Sequence, residues 1–282
     1  MNPSPDWKRY HQISLSILRE FGFGVKSTME ARILMEMEAI LEYVKRKEGQ
    51  IFDPEDLLTL AVTNVINNIV FGRRRDYELG ASELAYMIKG FFEGMDNAFG
   101  IAPIVRFIPY YGKKLRLHVN SEKRLHEILQ EEVEESLQLG AADCFVRRYI
   151  EKLGSDYDRE QLSFTLRDLV TAGSDTTKNT LLWFVLTLAN FPEVQMRIQQ
   201  EIDGVVPRER LPSAEDLSRL PFVQASIMEL MRWKTLAIIS IPRMTLNDST
   251  VGGYFIPKGT GVITMYIELL DTLRKKIRSV GL

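Results

Sequence analysis

The chain has 282 residues, of which 45% are hydrophobic and 26% are charged, and its formal net charge at pH 7 is −2. This balance is typical of a globular protein with one large core or two smaller ones, and it excludes a disordered chain, a collagen-like fibre and a disulfide scaffold. With 36 basic and 38 acidic residues, the protein has no overall electric field that would attract nucleic acid.

The N-terminal half of the sequence reads as a succession of six helices. Asp6 and the capping box Ser27-x-x-Glu30 begin the first two, and Asp53-Pro54 begins the third. Apolar residues at helical spacing, and the glycines that follow several of these stretches, predict helices at residues 6–21, 27–48, 54–71, 82–99, 113–139 and 143–153.

The longest predicted helix spans residues 158–190 and opens at the capping box Asp158-x-x-Gln161. Shorter helices follow, separated by a turn that Ser213-x-x-Asp216 caps, and the pattern becomes β-like only after Thr235. The predicted ranges are 192–204 and 222–234 for these helices, and 238–243, 250–256 and 261–265 for the strands. The sequence therefore predicts a mainly α fold with a small β-sheet.

The remaining composition excludes several kinds of site. Cys144 is the only cysteine, so an internal disulfide is excluded and nothing indicates an oxidising compartment. The three histidines, at positions 11, 118 and 126, are too few and too scattered to predict a zinc site. No apolar run approaches the roughly 18 residues that span a bilayer, and the first residues do not resemble a signal peptide. The chain as written is expected to be soluble or peripheral to a membrane.

The first of two local anomalies is the segment 172–177, Ala-Gly-Ser-Asp-Thr-Thr, inside the longest predicted helix. Five of its six residues are poor helix formers and together cost roughly 2–3 kcal/mol relative to alanine, although both flanking stretches are strongly apolar. Gly173 would let a flat ligand approach the backbone. Asp175 and the Thr176 hydroxyl form an acid–alcohol pair able to relay protons. The segment is therefore either a functional groove or a helix kink whose polar residues face water.

The second anomaly is the pair Glu229 and Arg232, which alone would indicate a surface ion pair on one helix face. In this order and at these spacings, the two anomalies resemble the cytochrome P450 haem-thiolate monooxygenases, the animal microsomal group in particular. The resemblance covers about residues 6–265. The motifs that carry it are Asp6-Trp7-Lys8, Ala172-Gly173-x-Asp175-Thr176-Thr177, Phe191-Pro192-Glu193-Val194-Gln195, Leu220-Pro221-Phe222-Val223-Gln224-Ala225, Glu229-x-x-Arg232, Ile241-Pro242-Arg243 and Gly253-Tyr254-x-Ile256-Pro257-Lys258-Gly259-Thr260.

The resemblance implies a haem cofactor and a role for each matching residue. Thr176 would be the alcohol of a proton relay to iron-bound dioxygen and Asp175 its acidic neighbour, so both are assigned as catalytic. Glu229 and Arg232 would be structural, and we expect them to be buried and bonded to each other. His11 stands where the family usually has an arginine, which implies a weaker contact with a haem propionate. The residues implied to contact the haem are Trp7, His11, Ala172, Gly173, Thr176 and Arg243.

The resemblance also implies lipophilic substrates, an NADPH–cytochrome reductase as electron donor and the endoplasmic reticulum membrane as location. The implied substrate pocket is lined by Phe91, Phe92, Phe99, Val170, Thr176, Ile238, Ile239 and Ile241. Residues 100–112 are predicted to form an unusually apolar loop. This loop either makes a peripheral contact with a membrane or packs over a pocket.

Two parts of the family pattern are not found in this sequence: the N-terminal membrane anchor and the cysteine loop that supplies the haem thiolate. Cys144 lies upstream of residues 172–177, inside another predicted helix, and is not expected to be the thiolate ligand. Residues 1–265 are therefore expected to be a partial cytochrome P450 domain and residues 266–282 a divergent basic tail. Without the anchor, the chain is expected to be cytoplasmic or peripheral to the membrane.

Functions from different classes stay open at this point. The family function is haem-dependent monooxygenation, as hydroxylation or epoxidation of lipophilic small molecules, with this chain inactive as it stands. The alternative is a catalytically inactive truncated isoform that acts as a binding or regulatory protein, or a non-functional product.

Overall fold

The structure, a computed structural model, describes residues 5–23, 26–77, 83–95, 109–138, 140, 143–238, 240–241 and 243–265. These ranges contain nine α-helices and two 3₁₀ helices of three or more residues, Gly154–Asp156 and Asp216–Arg219. The α-helices are α1 Pro5–Glu20, α2 Lys26–Arg46, α3 Pro54–Phe71, α4 Glu83–Met95, α5 Pro109–Gln138, α6 Phe145–Leu153, α7 Arg159–Asn190, α8 Pro192–Val205 and α9 Pro221–Trp233.

The strands of the described ranges form two small antiparallel pairs. In the first pair, β1 (Arg243–Met244) lies beside β4 (Gly261–Val262). In the second, β2 (Ser249–Val251) and β3 (Tyr254–Ile256) form a hairpin whose turn residues, Gly252 and Gly253, both have positive φ. The prediction of a mainly α fold with a small β component is confirmed, although the strands are shorter than predicted and residues 250–256 form a hairpin.

Local capping explains why the two helices that carry the site begin where they do. The Asp53 side chain accepts a hydrogen bond of 2.8 Å from the backbone N–H of Glu55, and Pro54 occupies the first position of α3. The Asp158 side chain likewise accepts from the backbone N–H of Glu160 at 2.8 Å, so α7 begins one residue after its predicted cap.

The main core is formed where α1, α3, α4, α5 and α6 meet the first half of α7. Its largest fully buried side chains include Tyr149, Phe71, Phe145, Ile17, Leu125 and Leu166. The buried side chains of α7 all lie between Leu162 and Lys178. Beyond them, apolar side chains such as Trp183 and Leu186 are exposed, and this half of the helix lies beside α8 and α9.

A buried carboxylate joins α2 to α3 and to the segment that follows it. Glu36, only 4% exposed, accepts hydrogen bonds from Asn64 at 2.9 Å, from Arg74 at 3.0 Å and from the Tyr77 hydroxyl. Burial and the hydrogen bond to Glu36 raise the pKa of Tyr77 above its usual value. Arg74, which follows α3, is therefore the ion-pair partner of a buried acid and is more than a surface charge.

Two predicted boundaries differ from the structure. Residues 109–112 belong to the first turn of α5 and not to a loop, because Pro109 occupies the first helical position, where proline leaves no N–H unpaired. Residues 101–108, the larger part of the predicted loop, lie outside the described residues, as do residues 96–99 of the predicted helix 82–99. None of the helices within the described ranges is both long enough and apolar enough to cross a bilayer.

Candidate functional site

The segment 172–177 lies in the middle of α7, which runs without interruption from Arg159 to Asn190. The helix therefore continues through its poorest helix formers, as predicted. Within the segment, the Thr176 hydroxyl is bonded to the backbone, since its Oγ1 donates to the carbonyl of Ala172 at 2.8 Å. One turn later, Thr180 Oγ1 donates to the carbonyl of Thr176 at 2.9 Å.

Ala172 and Thr176 lie on an exposed side of α7, one helical turn apart. Ser174 and Lys178, by contrast, are buried. The helix therefore has an open side, with the Ala172 methyl group and the Thr176 hydroxyl, and a packed side, with the polar side chains of Ser174 and Lys178. Since the exposed side chains of Ala172 and Thr176 are both small, a flat group could lie against this side of the helix.

Asp175 is held by neighbours on its own helix. Its carboxylate is 3.0 Å from the Lys178 ammonium group and accepts a hydrogen bond of 2.8 Å from Asn179. Lys178 is only 8% exposed, and its ammonium group also lies 4.0 Å from the Glu55 carboxylate of α3. The partners of Asp175 and Thr176 therefore differ: the acid is bound to Lys178 and Asn179, whereas the alcohol is bonded to the backbone.

Gly173 faces α3. A Cβ atom at this position would lie 2.8 Å from Cδ1 and 3.3 Å from Cγ1 of Ile66, closer than van der Waals contact allows. Helix–helix packing therefore explains why a glycine stands at position 173, since α3 and α7 approach each other closely at this point.

The other residues assigned to the haem lie on α1 and on β1. Trp7 and His11 stack one turn apart on α1, with ring centroids 4.9 Å apart and an interplanar angle of 9°. Trp7 is 52% exposed. Arg243 is exposed in β1, where its backbone pairs with Val262 of β4. These side chains supply an indole N–H, an imidazole and a guanidinium group to the surface of the protein.

The residues assigned to the substrate pocket occupy different environments. Phe91 and Phe92 are half-buried on α4 in edge-to-face contact, with ring centroids 5.4 Å apart. Val170 is completely buried in the main core, whereas Ile238 and Ile241 are exposed. Phe99 and Ile239 lie outside the described residues. Within those residues, the set does not form one cavity.

The prediction for Glu229 and Arg232 is confirmed in one part and wrong in the other. The pair is formed, with Arg232 Nε donating to Glu229 Oε2 at 2.6 Å. Both side chains are exposed, Arg232 by 42% and Glu229 by 59%, so the predicted burial is wrong. The apolar neighbours on which that prediction rested are themselves exposed, Met228 by 67% and Met231 by 55%, because the packed face of α9 is narrow and buries only Leu230.

Cys144 lies at the N-terminal cap of α6 and is buried, 1% exposed. Its sulfur is 3.6 Å from the Ser136 hydroxyl of α5, which also donates to the carbonyl of Phe71. The thiol is therefore a buried core group that packs against other helices.

The predicted site does not include Lys178, although its ammonium group is an ion-pair partner of Asp175. A lysine three residues after an aspartate on a predicted helix is a detectable signal for such a pair. The burial of both groups, by contrast, depends on the packing of α3, a helix more than 80 positions earlier in the chain, against α7.

Comparison with known proteins gives one consistent result. Residues 1–271 match the sequence profile of the family Cytochrome P450. Cytochrome P450 2C3 of Oryctolagus cuniculus is 31% identical over 280 residues, which is 94% of this chain and 56% of that protein. Cytochrome P450 2E1 of Rattus norvegicus is 33% identical over 284 residues, which is 95% of this chain and 57% of that protein.

A solved structure shares the fold. A zebra fish cytochrome P450 in a structure with progesterone is similar with a TM-score of 0.76 and 26% sequence identity. The match covers 93% of this chain and 62% of that chain. This chain thus spans a little over half the length of the curated relatives that it matches.

Proposed function

The chain belongs to the cytochrome P450 family, and we propose that the protein to which it contributes is a haem-dependent monooxygenase. It would hydroxylate or epoxidise lipophilic small molecules at the endoplasmic reticulum membrane, with electrons from an NADPH–cytochrome reductase. The observation that carries this proposal is the uninterrupted helix α7, which presents Ala172 and the Thr176 hydroxyl together on an open side. Residues 1–265 would form part of the catalytic domain, and residues 266–282 a divergent basic tail.

The residues present fit part of what a haem needs. Ala172 and Thr176 leave room for a flat ring against α7, and Gly173 lets that helix pack closely on α3. The Arg243 guanidinium suits a propionate carboxylate, since it can donate two parallel hydrogen bonds. The Trp7 indole N–H and the stacked His11 ring would contact the second propionate. The haem, when bound, supplies the dioxygen chemistry.

The protein's own contribution to the reaction would be the control of protons and of water. Thr176 Oγ1 carries a proton that it shares with the Ala172 carbonyl, and rotation about one side-chain bond would present it to the open side. Asp175 would be the acidic neighbour that replaces this proton, in a position fixed by Lys178 and Asn179. Of the apolar side chains assigned to the pocket, the half-buried Phe91 and Phe92 of α4 would exclude water and favour lipophilic substrates.

The test compares two threonines on the same helix. The complete reading frame that contains this chain is expressed with a reductase, and hydroxylated product is measured with progesterone as a first lipophilic probe. A missing proton donor lowers such a reaction by about 100-fold or more, so we expect that loss for Thr176→Ala. Thr180→Ala removes the matched hydroxyl one turn later and should stay within a few-fold of the parent. Equal effects of the two substitutions would contradict the role of Thr176.

We further propose that the 282-residue chain by itself is not a competent monooxygenase. Its single thiol, that of Cys144, is buried against Ser136 in the core and is not offered to the open side of α7. The test is to add haem to the expressed chain, reduce it and add carbon monoxide. We expect no red-shifted Soret band of the thiolate-ligated type. The appearance of such a band, and its loss in Cys144→Ser, would overturn this proposal and make Cys144 the ligand.

A further inference from the structure

A small cavity lies where α3, α4 and α7 meet. Its volume is about 20 Å³, and the residues around it include Thr63 of α3, Ile88 of α4 and Ser174, Asp175 and Lys178 of α7. A cavity needs about 10–15 Å³ to hold one water molecule, so this one has room for a single water and for little else.

Two hydroxyl groups on the cavity wall have no hydrogen-bond partner among the described residues. Thr63 is completely buried and Ser174 is 4% exposed, and both side-chain oxygens are inaccessible to solvent. Other hydroxyls on these helices bond to the preceding turn: Thr59 Oγ1 donates to the Glu55 carbonyl at 2.6 Å and Thr171 Oγ1 to the Arg167 carbonyl at 2.7 Å. A buried hydroxyl without a hydrogen-bond partner destabilises the folded protein. Two such hydroxyls at one cavity therefore indicate that they share a partner inside it.

The other polar side chains around the cavity include Lys178, whose ammonium group has three N–H donors. Asp175, at 3.0 Å, takes one of them, and Glu55, at 4.0 Å, is a more distant partner. From this geometry we propose that the cavity is a binding site for one ordered water molecule. The water accepts a hydrogen bond from Lys178 and is bonded to the hydroxyls of Thr63 and Ser174. Three such bonds are typical of a buried water.

The site links α3 to α7 immediately beside Asp175. Because the water binds the lysine that holds the Asp175 carboxylate, it belongs to the same polar cluster on the packed side of the helix. The proposal concerns hydration of this cluster, and it stands whether or not the complete protein has monooxygenase activity.

A double-substitution cycle in the 282-residue protein tests the site. If the water is present, Thr63→Val lowers the urea midpoint of unfolding by about 0.3 M, because a bonded hydroxyl is lost. The double variant Thr63→Val, Ser174→Ala should then lose less free energy of unfolding than the two single variants lose in sum, because the first substitution already releases the water. Differences in helix propensity cancel in this cycle. Thr171→Val is the matched control, and its effect should add to that of Thr63→Val.

The contrary result is equally definite. If the cavity is dry, Thr63→Val removes an unsatisfied hydroxyl and leaves the midpoint unchanged or raises it, with additive effects throughout, which would overturn the proposal. A high-resolution crystal structure of the parent is the second measurement. It should show one density peak within 3.5 Å of Thr63 Oγ1, Ser174 Oγ and Lys178 Nζ. A structure in which both hydroxyls bond to helix carbonyls, with no such peak, would also refute it.

Discussion

Replacing Gly173 with alanine tests whether this glycine serves the contact between α7 and α3. Alanine is about 1 kcal/mol more favourable than glycine inside a helix. The new Cβ would lie 2.8 Å from Cδ1 of Ile66, and relief of such overpacking costs typically about 1–3 kcal/mol. Since Cδ1 is the end of a flexible side chain, we expect the lower part of that range. The net result should be a loss of about 0–1 kcal/mol in the free energy of unfolding.

The decisive measurement repeats the substitution after Ile66→Val, which removes Cδ1 and by itself costs about 0.5–1.5 kcal/mol. In that background Gly173→Ala should stabilise the protein by up to about 1 kcal/mol, because the helix gain is kept and the closest contact is gone. Urea unfolding followed by far-ultraviolet circular dichroism measures all four variants. Gly204→Ala is the control, since its Cβ would meet nothing within 4 Å. An effect of Gly173→Ala that is identical in both backgrounds would refute the packing explanation.

Three further predictions concern charged groups. Glu229→Ala should cost less than about 1 kcal/mol, as for an exposed pair. Glu36→Ala should cost about 1–3 kcal/mol, because it leaves the buried Tyr77 hydroxyl without its acceptor. Urea unfolding of both variants measures the two costs, and the reverse order would contradict the prediction. The Arg210 guanidinium, together with the backbone and hydroxyl of Ser213, lowers the pKa of Asp216. Its stabilising effect is therefore present at neutral pH and is lost as the pH falls below about 3.9, the usual pKa of an unfolded aspartate. Asp216→Asn should flatten the dependence of stability on pH in that acidic range, and an unchanged profile would count against the assignment.

The sequence was sufficient to predict the position of α7 because both of its ends carry strong local signals. Asp158 caps its first turn, and Pro192 begins the next helix two residues after Asn190. The mainly α fold class is predicted from the same kind of local signal, because capping residues or apolar residues at helical spacing mark most of the helices. Pro109 shows where such signals mislead: the sequence predicts it as a loop residue, whereas it occupies the first position of α5.

What the sequence could not supply depends on contacts between distant segments. The burial of Lys178 follows from the packing of α3 on α7, and the need for a glycine at position 173 follows from Ile66 of α3. The apolar neighbours of Glu229 predict a buried pair, but burial is decided by how many elements cover α9. Among the described residues, the main contacts of α9 are with α7, α8 and one short 3₁₀ helix. Periodicity reports which side chains are apolar, and tertiary packing decides which of them are covered.

The uneven burial along α7 has a consequence for how the helix opens. Residues 162–178 are held by the main core, whereas the turns that follow have exposed apolar side chains and lie beside α8 and α9. Local unfolding free energy is lowest where few apolar contacts must be broken. The backbone amides of residues 181–190 should therefore exchange with solvent through partial opening, while those before Lys178 exchange only through global unfolding. The boundary between these two regimes falls just after residues 172–177, so this segment stays ordered during fluctuations that release the end of its own helix.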